Sequence, residues 1–129
     1  MNNLDIIKAY HARIWEDKDL SAIDEYFAVE AVIQSPIKST QGTKEMKEVI
    51  AAWLEGFPNL KVFWDDFICE GDKVVSRWRV TASQEGAFLG HEPSNKEVNY
   101  SGVTIYQLDG AKITQYWAII DMDTLMNQL

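Results

Sequence analysis

Residues 97–120, EVNYSGVTIYQLDGAKITQYWAII, contain the pattern that decides the fold. Two runs rich in β-branched and aromatic residues flank Asp109-Gly110, a dipeptide typical of a two-residue hairpin turn. The pattern therefore predicts a strand over Glu97–Leu108, a tight turn, and a last strand over Lys112–Ile120. Such a hairpin is expected at the end of an antiparallel sheet.

Two further strands are predicted upstream of this hairpin, over Lys61–Cys69 and Lys73–Ser83. The turn between them is the sequence Glu70-Gly-Asp72. In the second strand an apolar set alternates with a mostly polar set, which is typical of a strand with one buried face. The expected inward set is Val74, Ser76, Trp78, Val80 and Ala82.

The first third of the chain has helical spacing instead. Leu4, Ile7, His11 and Ile14 recur at intervals of three and four residues, which predicts an amphipathic helix. A short helix is expected over Leu20–Phe27 and a strand over Val29–Gln34. A third helix should follow Gly42, with Thr43 as its N-cap and Met46, Val49, Ile50, Trp53 and Leu54 as its apolar stripe.

The order of elements predicts an α+β fold. Three N-terminal helices should pack on one face of a curved, mainly antiparallel sheet and enclose a conical pocket. After the last strand, residues 121–129 are expected to form one or two closing helical turns. With 129 residues, 47% of them apolar, the whole chain 1–129 is predicted to be a single domain.

Composition also excludes several classes of function. The net charge is −8 and the three arginines are not clustered, so nucleic-acid binding is not expected. No apolar run approaches the ~20 residues of a membrane span. The N-terminus lacks the pattern of a signal peptide, and one cysteine, Cys69, cannot form an intrachain disulfide. The protein is therefore predicted to be cytoplasmic.

The C-terminal two-thirds of the chain resembles a known family. The resemblance rests on Phe57-Pro-Asn-Leu60, on Asp66–Asp72, on Gly86–Gly90, and on Tyr100–Tyr106 followed by Trp117–Asp121. These segments resemble the SnoaL-like polyketide cyclases of the nuclear transport factor 2-like superfamily, and the N-terminal helices fit in length and order. Gln84 and Tyr116 stand where family members commonly have histidine.

The resemblance implies a cofactor-free reaction in which an aspartate acts as acid and base on a proton next to a carbonyl. The aspartate in the matching position is Asp121. On a strand period of two, Asp121 would share a face with Trp117 and Ile119, and burial there would raise its pKa toward that of a general base. The alternative is that Asp121 caps a terminal helix, since aspartate is a favoured N-cap residue. Both interpretations stay open at this point.

Four tryptophans and three polar residues complete the predicted site. Trp117, Trp78, Trp53 and Trp15 are expected either to wall a cavity for a flat ligand or to form a plain aromatic core. Gln84 and Gln115 are candidate polar contacts to the ligand. His11 lies on an apolar stripe, so it is either a donor to the ligand or a histidine at the edge of the core.

No metal and no cofactor are expected. The two histidines, His11 and His91, are eighty residues apart and the single cysteine adds no metal-ligand spacing. Two classes of function therefore remain. One is a cyclase or isomerase that acts on a small apolar or aromatic carbonyl compound. The other is a non-catalytic module that binds a small ligand or forms dimers. In either class a homodimer is predicted, paired through the outer face of the sheet that carries Arg77, Arg79 and Thr81. The aromatic residues expected near this face are Phe63, Phe67, Tyr106 and Tyr116.

Overall fold

The computed structural model describes residues 1–129. Helix α1 spans Asn3–His11 and continues into a π-helical turn, Ala12–Glu16, before the short helix α2, Ala22–Tyr26. The other helices are α3, Thr43–Gly56, and α4, Met122–Met126. The six strands are β1 Phe27–Gln34, β2 Ser39–Gln41, β3 Lys61–Glu70, β4 Lys73–Ser83, β5 Glu97–Asp109 and β6 Lys112–Ile120.

The strands form one curved sheet in the order β2-β1-β6-β5-β4-β3. All neighbouring pairs are antiparallel except β1 and β6, which are parallel. The predicted α+β fold is thus confirmed. The sequence interpretation missed the three-residue strand β2. It predicted α2 over Leu20–Phe27 instead of Ala22–Tyr26, and it began β1 at Val29 instead of Phe27.

A core of 27 buried apolar residues lies between the helices and the concave face of the sheet. The predicted stripes supply it: Ile7 and Ile14 come from the first helix, and Met46, Val49 and Ile50 from α3. Helix α3 begins at Thr43, as expected, but its N-cap is Gly42, whose φ of 102° favours glycine. None of the helices combines the length and apolar character that a membrane crossing requires.

The hairpin between β5 and β6 turns one residue later than the dipeptide rule predicts. Asp109 pairs with Lys112, so the two turn residues are Gly110 and Ala111. Their φ angles are 56° and 69°, which is the left-handed pair that a type I′ turn requires. Asp109 therefore belongs to the strand, and Ala111 accepts a conformation that is uncommon for a residue with a Cβ atom.

Two β-bulges reverse the inward and outward faces of their strands. In β6, Ile113 pairs with Leu108 and Gln115 with Gln107, so Thr114 is the extra residue. In β3 the extra residue is Asp65, because Trp64 pairs with Trp78 while Asp66 pairs with Arg77. A bulge of one residue shifts the alternation by one position. Every prediction that assumed unbroken alternation through these strands is affected.

Candidate functional site

A cavity lies between the first helix, α3 and the concave face of the sheet. It encloses about 430 Å³ of empty space, counting the part that opens to solvent. Eleven of its twelve lining residues are hydrophobic, and none carries a formal charge. The lining residues are Trp15, Trp53, Leu60, Val62, Trp64, Trp78, Val80, Tyr100, Thr104, Tyr106, Tyr116 and Ile120.

Three of the four predicted tryptophans, Trp15, Trp53 and Trp78, line this cavity. Trp53 stacks on Tyr100 with ring centroids 5.4 Å apart, and Trp78 meets Tyr100 edge to face at 6.1 Å. Trp15 comes from the π-helical turn, a rare conformation that is frequent at functional sites. Because Trp53 and Trp78 both pack on Tyr100, these three rings form a rigid wall for a flat, apolar molecule.

Hydroxyl groups supply most of the polarity of the cavity. The Trp78 indole donates to Thr104 Oγ1 at 2.9 Å, so the Thr104 hydroxyl keeps its own proton for another acceptor. Tyr100 and Tyr116 are buried, and their hydroxyls make no hydrogen bond to the protein. Burial raises the pKa of both tyrosines well above their ordinary value, so both stay protonated and neutral.

His11 lies behind this wall rather than in it. Its ring is buried and stacks on Trp64, with centroids 3.8 Å apart and planes 2° from parallel. His11 Nε2 lies 2.9 Å from the hydroxyl oxygen of Tyr106, which does line the cavity. Burial lowers the pKa of His11 to about 3, so the imidazole is neutral at physiological pH. The structure thus links His11 to the cavity through Tyr106.

The position predicted for Trp117 is wrong. The bulge at Thr114 turns Tyr116, Ala118 and Ile120 inward, and it leaves Trp117 49% exposed on the outer face of the sheet. Gln115 is exposed on that same outer face and does not reach the cavity. Tyr116, which unbroken alternation would place outside, is one of the cavity walls.

Gln84 is buried but holds a loop instead of lining the cavity. Its side-chain nitrogen donates to the His91 carbonyl oxygen at 3.2 Å, and its side-chain oxygen accepts from Ser94 N at 3.2 Å. The Gln84 backbone also pairs with Lys96 and Asn95. Both ends of the amide are therefore used within the segment 84–96, and Gln84 is not one of the residues that line the cavity.

Asp121 is exposed at the end of β6 and caps α4. Its carboxylate accepts from Thr124 Oγ1 at 2.6 Å and from Thr124 N at 3.2 Å. These two hydrogen bonds lower the pKa of Asp121 and outweigh the opposing effect of desolvation, so the raised pKa that the sequence interpretation expected is wrong. Asp121 follows Ile120, which lines the cavity, but is not itself one of the lining residues. The carboxylate is therefore ionised at neutral pH and adjoins the cavity in sequence.

Sequence reasoning missed most of the cavity wall, including the aromatic residues Trp64 and Tyr106. Trp64 has the same parity on β3 as Leu60 and Val62, so this alternation could have identified it. Tyr106 was assigned to the outer face, yet it is fully buried beneath α1. It shares parity on β5 with Tyr100 and Thr104, and that pattern was the available signal. The structure brings together no group of three His, Cys, Asp or Glu side chains that could hold a metal ion.

Comparison with known proteins decides the family. The model of the SnoaL-like polyketide cyclase family matches residues 5–129. The chain belongs to the SnoaL-like polyketide cyclase family. A search of curated proteins gave no match.

Several solved structures share the fold. A candidate SnoaL-like polyketide cyclase from Jannaschia sp. CCS1 is 25% identical, with a TM-score of 0.88 over 98% of this chain and 90% of that one. A candidate polyketide cyclase from Acidithiobacillus ferrooxidans is 24% identical, with a TM-score of 0.86 over 98% of this chain and 93% of that one. AclR of Streptomyces galilaeus, a candidate hydroxylase, is 25% identical, with a TM-score of 0.86 over 97% of this chain and 82% of that one.

Proposed function

We propose that the protein binds a small, flat, carbonyl-bearing molecule in its aromatic cavity and acts on it as a cofactor-free cyclase or isomerase. The observation that carries the proposal is the composition of the cavity, in which eleven of twelve lining residues are hydrophobic. Such a site favours a largely apolar ligand with few oxygen atoms. The neutral hydroxyls of Tyr100, Tyr116 and Thr104 are suited to stabilise the oxygen of an enolate.

In this proposal Asp121 removes the proton next to the carbonyl. Its carboxylate is ionised and exposed, directly after cavity residue Ile120, so it is available as a base. Its lowered pKa makes Asp121 a weaker base, so the proposal requires that the hydroxyls near the carbonyl stabilise the enolate. The names of structural neighbours include both cyclases and a hydroxylase, so the fold alone does not select the reaction.

The alternative is a non-catalytic protein that binds the same class of ligand. The observation that favours it is the helix cap, because both hydrogen bonds of the Asp121 carboxylate go to Thr124. A residue with this structural role needs no further function to explain its presence.

Exchange of deuterium into a simple ketone distinguishes the two. We would follow exchange at C2 of 1-indanone in D₂O by NMR, with wild type and with Asp121→Asn. Asparagine caps a helix about as well as aspartate, so the variant should fold normally. If Asp121 is the base, exchange should fall by roughly 10²–10⁴-fold. Equal exchange rates for the two proteins, with binding of 1-indanone intact, would reject catalysis by Asp121 and leave the binding function.

A further inference from the structure

The hydroxyl groups of the cavity are not equivalent. Hydrogen bonds within the protein hold the hydroxyls of Tyr106 and Thr104 but not those of Tyr100 and Tyr116, so each of the latter can rotate to donate or to accept. The hydroxyl of Tyr106 is held by His11 Nε2 at 2.9 Å. Tyr106 is therefore the one cavity tyrosine that offers the ligand a hydroxyl whose direction is set in advance, beside the Thr104 hydroxyl that the Trp78 indole holds.

His11 is itself held in two independent ways. Its ring lies parallel to Trp64, which fixes the plane of the imidazole. The contact with Tyr106 then fixes its rotation within that plane. The rings packed around His11 are those of Tyr10, Trp64, Phe67 and Tyr106, and no carboxylate contacts it. His11 is thus a neutral group of fixed orientation.

The tautomer of His11 determines what Tyr106 offers. His11 Nδ1 is buried and has no hydrogen-bond partner. A proton on Nδ1 would leave a buried N–H unpaired, which is rarer in proteins than an unpaired acceptor. With the proton on Nε2, His11 donates to the Tyr106 oxygen. The Tyr106 proton then remains free for an acceptor in the cavity.

We propose that Tyr106 is the specificity-determining donor of the cavity, selecting ligands that present a carbonyl oxygen, and that His11 is its positioning residue. This inference rests on the proposed binding function and adds a rule for its ligand. The oxygen that enters the cavity next to Tyr106 is an acceptor, as in a ketone or an enolate. A donor-only group would leave the Tyr106 hydroxyl unpaired, which is costly in a buried site.

Three small probes of similar shape test this rule. The first, 1-indanone, only accepts hydrogen bonds, and 5-indanol both accepts and donates them. The third, indane, forms no hydrogen bonds. Calorimetric titration of wild type should show 1-indanone binding roughly three- to tenfold more tightly than indane. Tyr106→Phe should abolish the preference for 1-indanone over indane while it keeps the affinity for indane. His11→Phe keeps a ring to stack on Trp64 but not the hydrogen bond, and it should reduce the ratio partly.

Tyr10→Phe is the matched control. Tyr10 is the neighbour of His11, its ring lies 6.3 Å from that of Tyr106, and its buried hydroxyl has no partner and does not line the cavity. This variant should keep the full ratio. ¹⁵N NMR of the histidine rings should independently show the His11 proton on Nε2.

The outcomes separate the two proposals. If indane binds but 1-indanone binds no better, the role of Tyr106 is rejected and the binding function stands. Preference for 5-indanol over 1-indanone, or a proton on His11 Nδ1, would likewise overturn the inference. If no probe binds, the proposed function itself fails. A ratio lost equally in Tyr10→Phe would show that packing around α1, and not the hydroxyl of Tyr106, sets the preference.

Discussion

His11 shows how one buried residue can make stability depend on pH. An unfolded chain gives this histidine an ordinary pKa of about 6.5, while burial in the folded protein lowers it to about 3. Between pH 6.5 and pH 3, His11 is therefore largely protonated in the unfolded state but neutral in the folded state. The contribution of His11 to stability is complete above pH 6.5 and falls as the pH decreases toward 3.

We predict that lowering the pH from 7 to 5 reduces the free energy of unfolding by about 2 kcal/mol through His11 alone. Urea denaturation at both pH values measures this difference. The carboxylates with lowered pKa, such as Asp121 and Glu48, lose their contributions at lower pH and do not affect the comparison. His11→Phe should lack this decrease, whereas His91→Gln, at an exposed position, should retain it. An unchanged decrease in His11→Phe would show that other groups cause it.

Sequence patterns predict the elements of this protein well because its strands and helices are long and strongly periodic. The bounds of β4 and β6, Lys73–Ser83 and Lys112–Ile120, agree with prediction. The errors begin at the bulges of Asp65 and Thr114, because one extra residue reverses the faces of the rest of the strand. No local signal in the sequence marks either bulge, and so Trp117 was placed inside and Tyr116 outside. The carboxylates of Asp65 and Asp66 pair with Arg79 and Arg77, which is the contact that the β3 bulge permits.

The loop that Gln84 holds also depends on one glycine. Gly86 N donates to the Gly56 carbonyl oxygen at 3.2 Å, which joins the loop to the end of α3. A Cβ atom on Gly86 would lie 1.9 Å from the Glu55 carbonyl oxygen, a backbone atom that cannot move aside easily. The loop and the helix therefore require glycine here for close approach, since the φ of Gly86 lies outside the left-handed region.

We predict that Gly86→Ala lowers the free energy of unfolding by roughly 3 kcal/mol, at the upper end of the range for overpacked sites. The matched control is Gly71→Ala, where the added methyl group meets open space. The cost there comes from the backbone alone, because a φ of 59° is unfavourable for a residue with a Cβ atom. That change should cost roughly 1 kcal/mol. Urea denaturation of both variants makes the comparison. Similar costs for the two would mean that the loop moves away from α3 without penalty.

At the scale of the whole molecule, the outer face of the sheet carries an apolar patch. It consists of Trp117 and Ile119 on β6, 49% and 51% exposed, with their cross-strand partners Ile105 and Val103 on β5. On the neighbouring strand β4, Arg77 is the cross-strand partner of Val103. Its guanidinium forms an ion pair with Asp66 beside the patch. The sequence interpretation centred the dimer contact on β4 and included Tyr106 and Tyr116. Both tyrosines are buried inside, so the centre of the patch moves to β5 and β6.

We predict that two copies of the chain pair through this patch. A net charge of −8 opposes self-association at long range, so apolar contact must supply the attraction. Large apolar side chains exposed together on the outer face of a sheet are typical of an interface, and a twofold pair is the commonest arrangement. Sedimentation at micromolar concentration should show a dimer.

Trp117→Lys should convert it to a monomer without unfolding, because the side chain lies outside the core. Thr81→Lys adds the same charge on β4, away from the patch, and should remain dimeric. A monomeric wild type, or a Trp117→Lys variant that stays dimeric, would show that this face is not the interface.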